Sequence, residues 1–115
     1  MKLLLVCLAG GLGSGARYLL ASWGNKALSG GFPYGTLLVN VIGCALIGYV
    51  MQLPDLSADT RLVLTTGFLG GFTTYSAFSF EASTLLKTEP ALGVAYILIT
   101  TLACVAVCSL VLLKR

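Results

Sequence analysis

The 115-residue sequence contains no histidine, four acidic residues and three prolines. Without histidine, the commonest general base and a frequent metal ligand are missing. No acidic residue precedes Asp55. Glu81, the one carboxylate inside an apolar stretch, has no acid or base companion. Acid–base and metal-assisted enzymes therefore have no residues to work with. Cys7, Cys44, Cys104 and Cys108 form no C-x-x-C pair and read as small apolar packing residues. Charge is scarce too: 10% of residues, against roughly a quarter in a soluble domain. The net charge of +3 is not gathered into a basic run, so no nucleic-acid partner is expected.

Long apolar runs are abundant: 57% of residues are hydrophobic. Four stretches stand out, about Leu3–Ser22, Tyr34–Leu53, Leu62–Leu86 and Ala91–Leu113. Each reaches the roughly 20 residues that cross a hydrocarbon core. The connections are short, which predicts one all-α integral-membrane domain, residues 1–115, of four spans. Lys2 followed by Leu3–Ala9 imitates a secretory leader, but apolar character continues to Ala21 and a retained first span is expected. Asp59 is a candidate N-cap of the third span, and Pro90 suits the first turn of the fourth. Four spans put Lys2, Arg61, Lys114 and Arg115 on one side and Lys26 and Lys87, with Arg17 at its interface, on the other. A bias this weak permits insertion in both orientations, so two inverted copies could pair.

One stretch does not fit lipid filling. Gly67-Phe68-Leu69-Gly70-Gly71-Phe72-Thr73-Thr74-Tyr75-Ser76-Ala77-Phe78-Ser79-Phe80-Glu81 mixes glycine, hydroxyls, aromatics and a carboxylate inside the third span. Residues 67–74 make a poor continuous helix. Such a break is tolerated in a membrane only where protein or a polar cavity covers it. Freed carbonyls near Gly70 and Thr73 could hold a hard monovalent cation between chains. Phe72, Tyr75 and Phe78 recur every third residue on one helix face. Spacing alone favours aromatic packing over ring edges lining an anion path.

Other polar faces point the same way. In the first span Gly10, Gly13, Ser14 and Arg17 share a face, and Gly11 and Gly15 form a second small-residue pair. Gly11-x-Gly13-x-x-Ala16 imitates a dinucleotide fingerprint, but no strand precedes it and no acidic residue follows at the needed spacing. Arg17 reads equally as a snorkelling side chain or as a cation at the mouth of an anion path. Thr36, Asn40, Gly43 and Cys44 share a face of the second span, where Asn40 is either interhelical glue or a pore donor. Tyr96, Thr100 and Cys104 repeat along the fourth. With Thr74, Ser76 and Ser79 these faces supply donors and few carboxylates, which favours a small anion.

The pieces Gly10-Gly11…Gly15-Ala16-Arg17-Tyr18, Pro33-Tyr34-Gly35-Thr36-Leu37…Asn40…Gly43 and the run 67–81 occur in this order along nearly the whole chain. In them the sequence resembles the CrcB/Fluc family of fluoride channels. The resemblance implies a fluoride-selective channel of the inner cell membrane, an antiparallel dual-topology homodimer with two pores that exports fluoride. It also implies a structural Na⁺ at the dimer centre on the carbonyls of Gly70 and Thr73. It implies pore roles for Asn40, Tyr75, Phe78, Thr36, Ser79, Glu81, Tyr96 and Thr100, and a vestibule role for Arg17. Tyr75 departs from the family's usual Phe, and Thr100 and Cys104 stand in a region where its members commonly have Ser or Asn and small residues. A rival of similar size, a small multidrug-resistance-type proton-coupled cation exchanger, needs a carboxylate in the first span; Leu3–Ser22 has none.

Overall fold

In the computed structural model, residues 1–28 and 31–113 are described. Lys114 and Arg115, used above for the charge count, lie outside them. The elements are α1 (Lys2–Ala27), α2 (Tyr34–Gln52), α3 (Ala58–Leu62), a wider π-helical segment (Val63–Leu69), α4 (Gly70–Phe72), α5 (Ser76–Thr88) and α6 (Pro90–Leu113). Among the described residues there is no strand. α1, α2 and α6 are each long and apolar enough to cross a membrane. At 1.5 Å per residue, α1 and α6 exceed the roughly 30 Å of a hydrocarbon core. This is a membrane protein.

The third span is broken, as expected, and is not one helix. Residues 58–72 form a continuous rod, and α5 begins only after residues 73–75. The two pieces have different neighbours. The rod packs along α1, whereas α5 packs on α6; α2 bridges α1 and α6. The buried cluster under α5 is Phe78, Ala82, Leu85 and Tyr96, with Phe32, Leu37, Leu92 and Ile97 around it.

Glycine sets the spacing of the rod against α1. A Cβ on Gly13 would overlap the Phe68 carbonyl, and one on Gly71 would overlap the Gly10 carbonyl. The two backbones therefore touch directly, the use of small residues expected where lipid gives no hydrophobic drive for association. The face predicted for α1 is the one used: Gly10, Gly13, Ser14 and Arg17 all meet the rod. A Cβ added to Gly11 or Gly15 would meet nothing within 4 Å.

Helix ends show two differences from the sequence reading. α1 runs through Trp23–Lys26, a segment expected to be a connector. It does so because Gly24 seats against Gly35 and the Asn25 Oδ1 accepts the Gly35 N–H at 2.9 Å, supplying an α2 first-turn donor with a partner. The N-cap of α3 is Ser57, whose Oγ accepts the Thr60 N–H at 3.1 Å, not Asp59. Asp59 instead faces Lys2 at 3.5 Å. That exposed pair adds little stability, but it puts the start of α1 and the α2–α3 connection at one end of the molecule. Arg61 closes the same end by donating to the Val50 and Leu53 carbonyls at 3.0 and 2.8 Å. α6 begins at Pro90, as expected.

Candidate functional site

The break lies slightly later than glycine content predicted. Gly67, Gly70 and Gly71 are all helical, and the extended residue is Thr73, at φ −86° and ψ 159°. The reason is tertiary. The glycines are held in helix by their fit against α1. The exit is determined by what replaces the next helical hydrogen bonds. A continuing helix would send the Thr74 N–H to the Gly70 carbonyl. It goes instead to the Asn40 Oδ1 at 3.0 Å, while the Asn40 Nδ2 donates to the Thr74 carbonyl at 3.1 Å. One amide thus grips both polar atoms of one peptide residue, and the Gly70 carbonyl loses its usual donor. Asn40, 9% exposed, is glue in this chain whatever else it does.

The other partners come from α1 and from the break itself. Arg17 Nε donates to the Gly71 carbonyl at 3.1 Å, and Ser14 Oγ reaches the same oxygen at 3.4 Å. Arg17 is therefore turned onto the rod's C-terminal end, where a cation is favoured by the helix dipole. Thr73 Oγ1 donates to the Leu69 carbonyl at 2.9 Å. Across the break, Thr74 Oγ1 accepts the Ala77 N–H at 3.2 Å and so supplies a first-turn partner for α5.

The aromatic stripe is divided by the same break. Phe72 stays with the rod and stacks on Phe68, with ring centroids 5.9 Å apart and planes 12° from parallel. Tyr75 instead pairs with Phe78, at 5.9 Å, and Phe78 continues to Tyr96, at 5.2 Å. The single face expected for Phe72, Tyr75 and Phe78 is corrected to a pair, because three consecutive residues out of helix destroy the three-residue periodicity.

α2 and α6 bring their polar faces together in matching order. The Thr36 hydroxyl neighbours the Tyr96 phenol. Asn40 and Thr100 line one groove together, and the Cys44 and Cys104 thiols are neighbours. The groove holds about 460 Å³ and lies against the break: Gly70, Thr73, Tyr75 and Phe78 form its other wall. Gly43 leaves room in it for the Thr73 methyl group. Tyr75 is 81% exposed, so the groove is open on its side.

The predicted site residues fall into groups. Asn40, Gly70, Thr73, Tyr75, Phe78 and Thr100 line the groove. Thr36, Glu81 and Tyr96 form a second cluster, in which the Tyr96 hydroxyl donates to Glu81 Oε1 at 3.1 Å. Phe78 links the two through its contact with Tyr96. Arg17 holds the rod end, and Ser79 is exposed on α5 and joins neither cluster. Thr100 differs from the others. It is 5% exposed, yet its Oγ1 has no hydrogen-bond partner. A buried hydroxyl of this kind calls for a ligand or water. Sequence reading missed the Gly71 carbonyl as the shared acceptor of Ser14 and Arg17, because a carbonyl leaves no mark in a sequence.

A family model described as CrcB-like protein, Camphor Resistance (CrcB), matches residues 4–112. The chain belongs to the CrcB family. Relatives named fluoride-specific ion channel FluC cover most of it. One from Anaeromyxobacter dehalogenans is 48% identical over 110 residues, 91% of this chain and 87% of its own. One from Geobacter metallireducens is 43% identical over 112 residues, 94% and 88%. One from Nitratidesulfovibrio vulgaris is 48% identical over 91 residues, 76% and 73%. The resemblance read from the motifs and this family assignment agree.

Proposed function

We propose that this protein is a fluoride-selective channel, not an enzyme, working as an antiparallel homodimer of four-span chains in the inner cell membrane. The activity named for its relatives supports the reading. The observation in the molecule that carries it is the unpartnered, buried Thr100 hydroxyl in a groove shared with the Asn40 amide. Both can donate to an anion, and among the described residues no carboxylate lines that groove to repel one. The open side beside Tyr75 is where a second, inverted copy would complete each of two pores.

Conduction is passive. Hydrogen fluoride that enters and dissociates in a near-neutral cytoplasm leaves fluoride trapped. A negative-inside potential then drives it out, with about 2.3 kcal/mol per 100 mV on one charge. Selectivity comes from fixed donors replacing hydration in a narrow, dry path. Asn40 and Thr100 would begin the exchange, with the rings of Tyr75 and Phe78 presenting positive edges. Thr36, Tyr96 and Glu81 would continue the path beyond Phe78, exposed Ser79 would join it only from the side of a second copy, and Arg17 would raise the anion concentration at the vestibule.

A structural Na⁺ fits the break. The Gly70 carbonyl has given up its helical donor to Asn40, and the Thr73 carbonyl belongs to an extended residue. Carbonyl oxygens are hard ligands of the type Na⁺ takes at unwound helices. Two carbonyls from one chain cannot enclose an ion, so the site would need both copies. The ion would supply positive charge and cross-linking at the dimer centre.

The test is ion efflux from liposomes holding the purified protein. Rapid loss of fluoride without loss of chloride is expected. A folded dimer that passes no fluoride overturns the proposal. A proton-coupled cation exchanger has no observation in its favour, since α1 carries no carboxylate.

A further inference from the structure

Cys44 and Cys104 have no part in the fluoride path described above. One lies on α2 and one on α6, and both line the groove. The neighbouring turn fixes the register. A Cβ on Gly48, one turn beyond Cys44, would come within 3.3 Å of the carbonyl of Cys108, one turn beyond Cys104. Both cysteines are free. Ile47, Leu69 and Val105 make the surrounding wall apolar. Among the described residues no third histidine, cysteine or carboxylate joins the pair.

Two facing thiols on packed helices exclude a four-coordinate zinc site. They suit a soft ion that takes two ligands in a line. Charge chooses among such ions. Two thiolates with a divalent ion are neutral, whereas a monovalent ion leaves one negative charge in an apolar wall, at high cost. The geometry points to a dithiol site for a soft, linearly coordinating divalent cation of the mercury(II) type, bridging Cys44 and Cys104 in the groove wall. Binding breaks two S–H bonds, forms two sulfur–metal bonds and releases two protons, with no change of oxidation state. The bound ion stands beside Thr100 and narrows the groove.

The probe is Hg²⁺ added to the full-length protein in detergent, with Cys7→Ala and Cys108→Ala removing the other thiols. One mercury per chain is expected, with both thiols lost to a thiol reagent and an intact mass of one chain plus one mercury less two protons. Cys44→Ser or Cys104→Ser should each weaken retention against a competing monothiol by about 100-fold or more, since two-point attachment is lost. In the unsubstituted chain, digestion should yield one mercury joining the peptides of Cys44 and Cys104. Two mercury ions per chain, one mercury joining two chains, or serine variants that retain the metal like their parent would each overturn the site. These readouts do not depend on fluoride flux, so they stand or fall apart from the channel reading. In liposomes that do conduct, Hg²⁺ should slow flux reversibly with excess monothiol; full flux with the metal bound would overturn its place in the groove.

Discussion

The two halves of the broken helix are adjacent in sequence and built on opposite rules. Residues 58–72 pack by backbone: Gly13 and Gly71 bring two helix axes so close that carbonyls occupy the space of side chains. Residues 76–88 pack mostly by side chains: Phe78, Ala82 and Leu85 fill a cluster with Tyr96 of α6, and backbone closes in only at the far end, where a Cβ on Gly93 would come within 2.7 Å of the Leu86 nitrogen. The first half is held to α1 and the second to α6, while α2 touches both and its Asn40 grips the break between them. The two halves meet at three non-helical residues, and there Gly70 and Thr73 line the same groove as the rings of Tyr75 and Phe78.

The largest effect expected is from breaking the backbone contact. Gly71→Val or Gly13→Val forces atoms into a carbonyl on α1, and overpacking of this kind costs about 3 kcal/mol or more at a site that cannot relax. Loss of folded protein in size-exclusion chromatography is the expected readout; a normal elution profile would contradict the close packing. Phe78→Ile tests the other half. It should leave the dimer folded while slowing fluoride flux about a hundredfold, equivalent to about 2.7 kcal/mol of barrier. Unchanged flux would argue against aromatic lining.

Asn40 separates holding from conducting. Asn40→Leu removes both bonds to Thr74 and leaves its N–H and carbonyl unpaired, a cost of about 2 kcal/mol in thermal unfolding. Asn40→Asp keeps the acceptor for the Thr74 N–H but adds negative charge, so flux should fall further than stability does. Equal losses in both variants would make Asn40 glue alone. Thr100→Val removes a hydroxyl that has no partner. Stability should stay within about 1 kcal/mol or rise, while flux slows about tenfold. A clear loss of stability would show that the hydroxyl is held by the protein. The smallest effect belongs to Lys2→Ala, which removes an exposed ion pair worth about 0.5 kcal/mol or less; a larger loss in unfolding would mean that the pair is tighter than its exposure implies.

Composition and period alone established much of this protein. Hydropathy marked the long helices, because a bilayer demands about 20 apolar residues and internal backbone hydrogen bonds whatever the fold. Small residues at helical spacing marked the face of α1 that meets the rod. The polar faces of α2 and α6 were visible from spacing within each helix, and the long motif 67–81 identified the family. Tertiary structure decided the rest. The break falls at residues 73–75 and not at the glycines, because α1 holds the glycines in helix and Asn40 captures the next peptide. Phe72 parts from Tyr75 for the same reason. The pairing of Cys44 with Cys104 and the shared groove of Asn40 and Thr100 depend on the register between α2 and α6. No local pattern encodes that register, since it follows from which backbones can approach one another across the whole bundle.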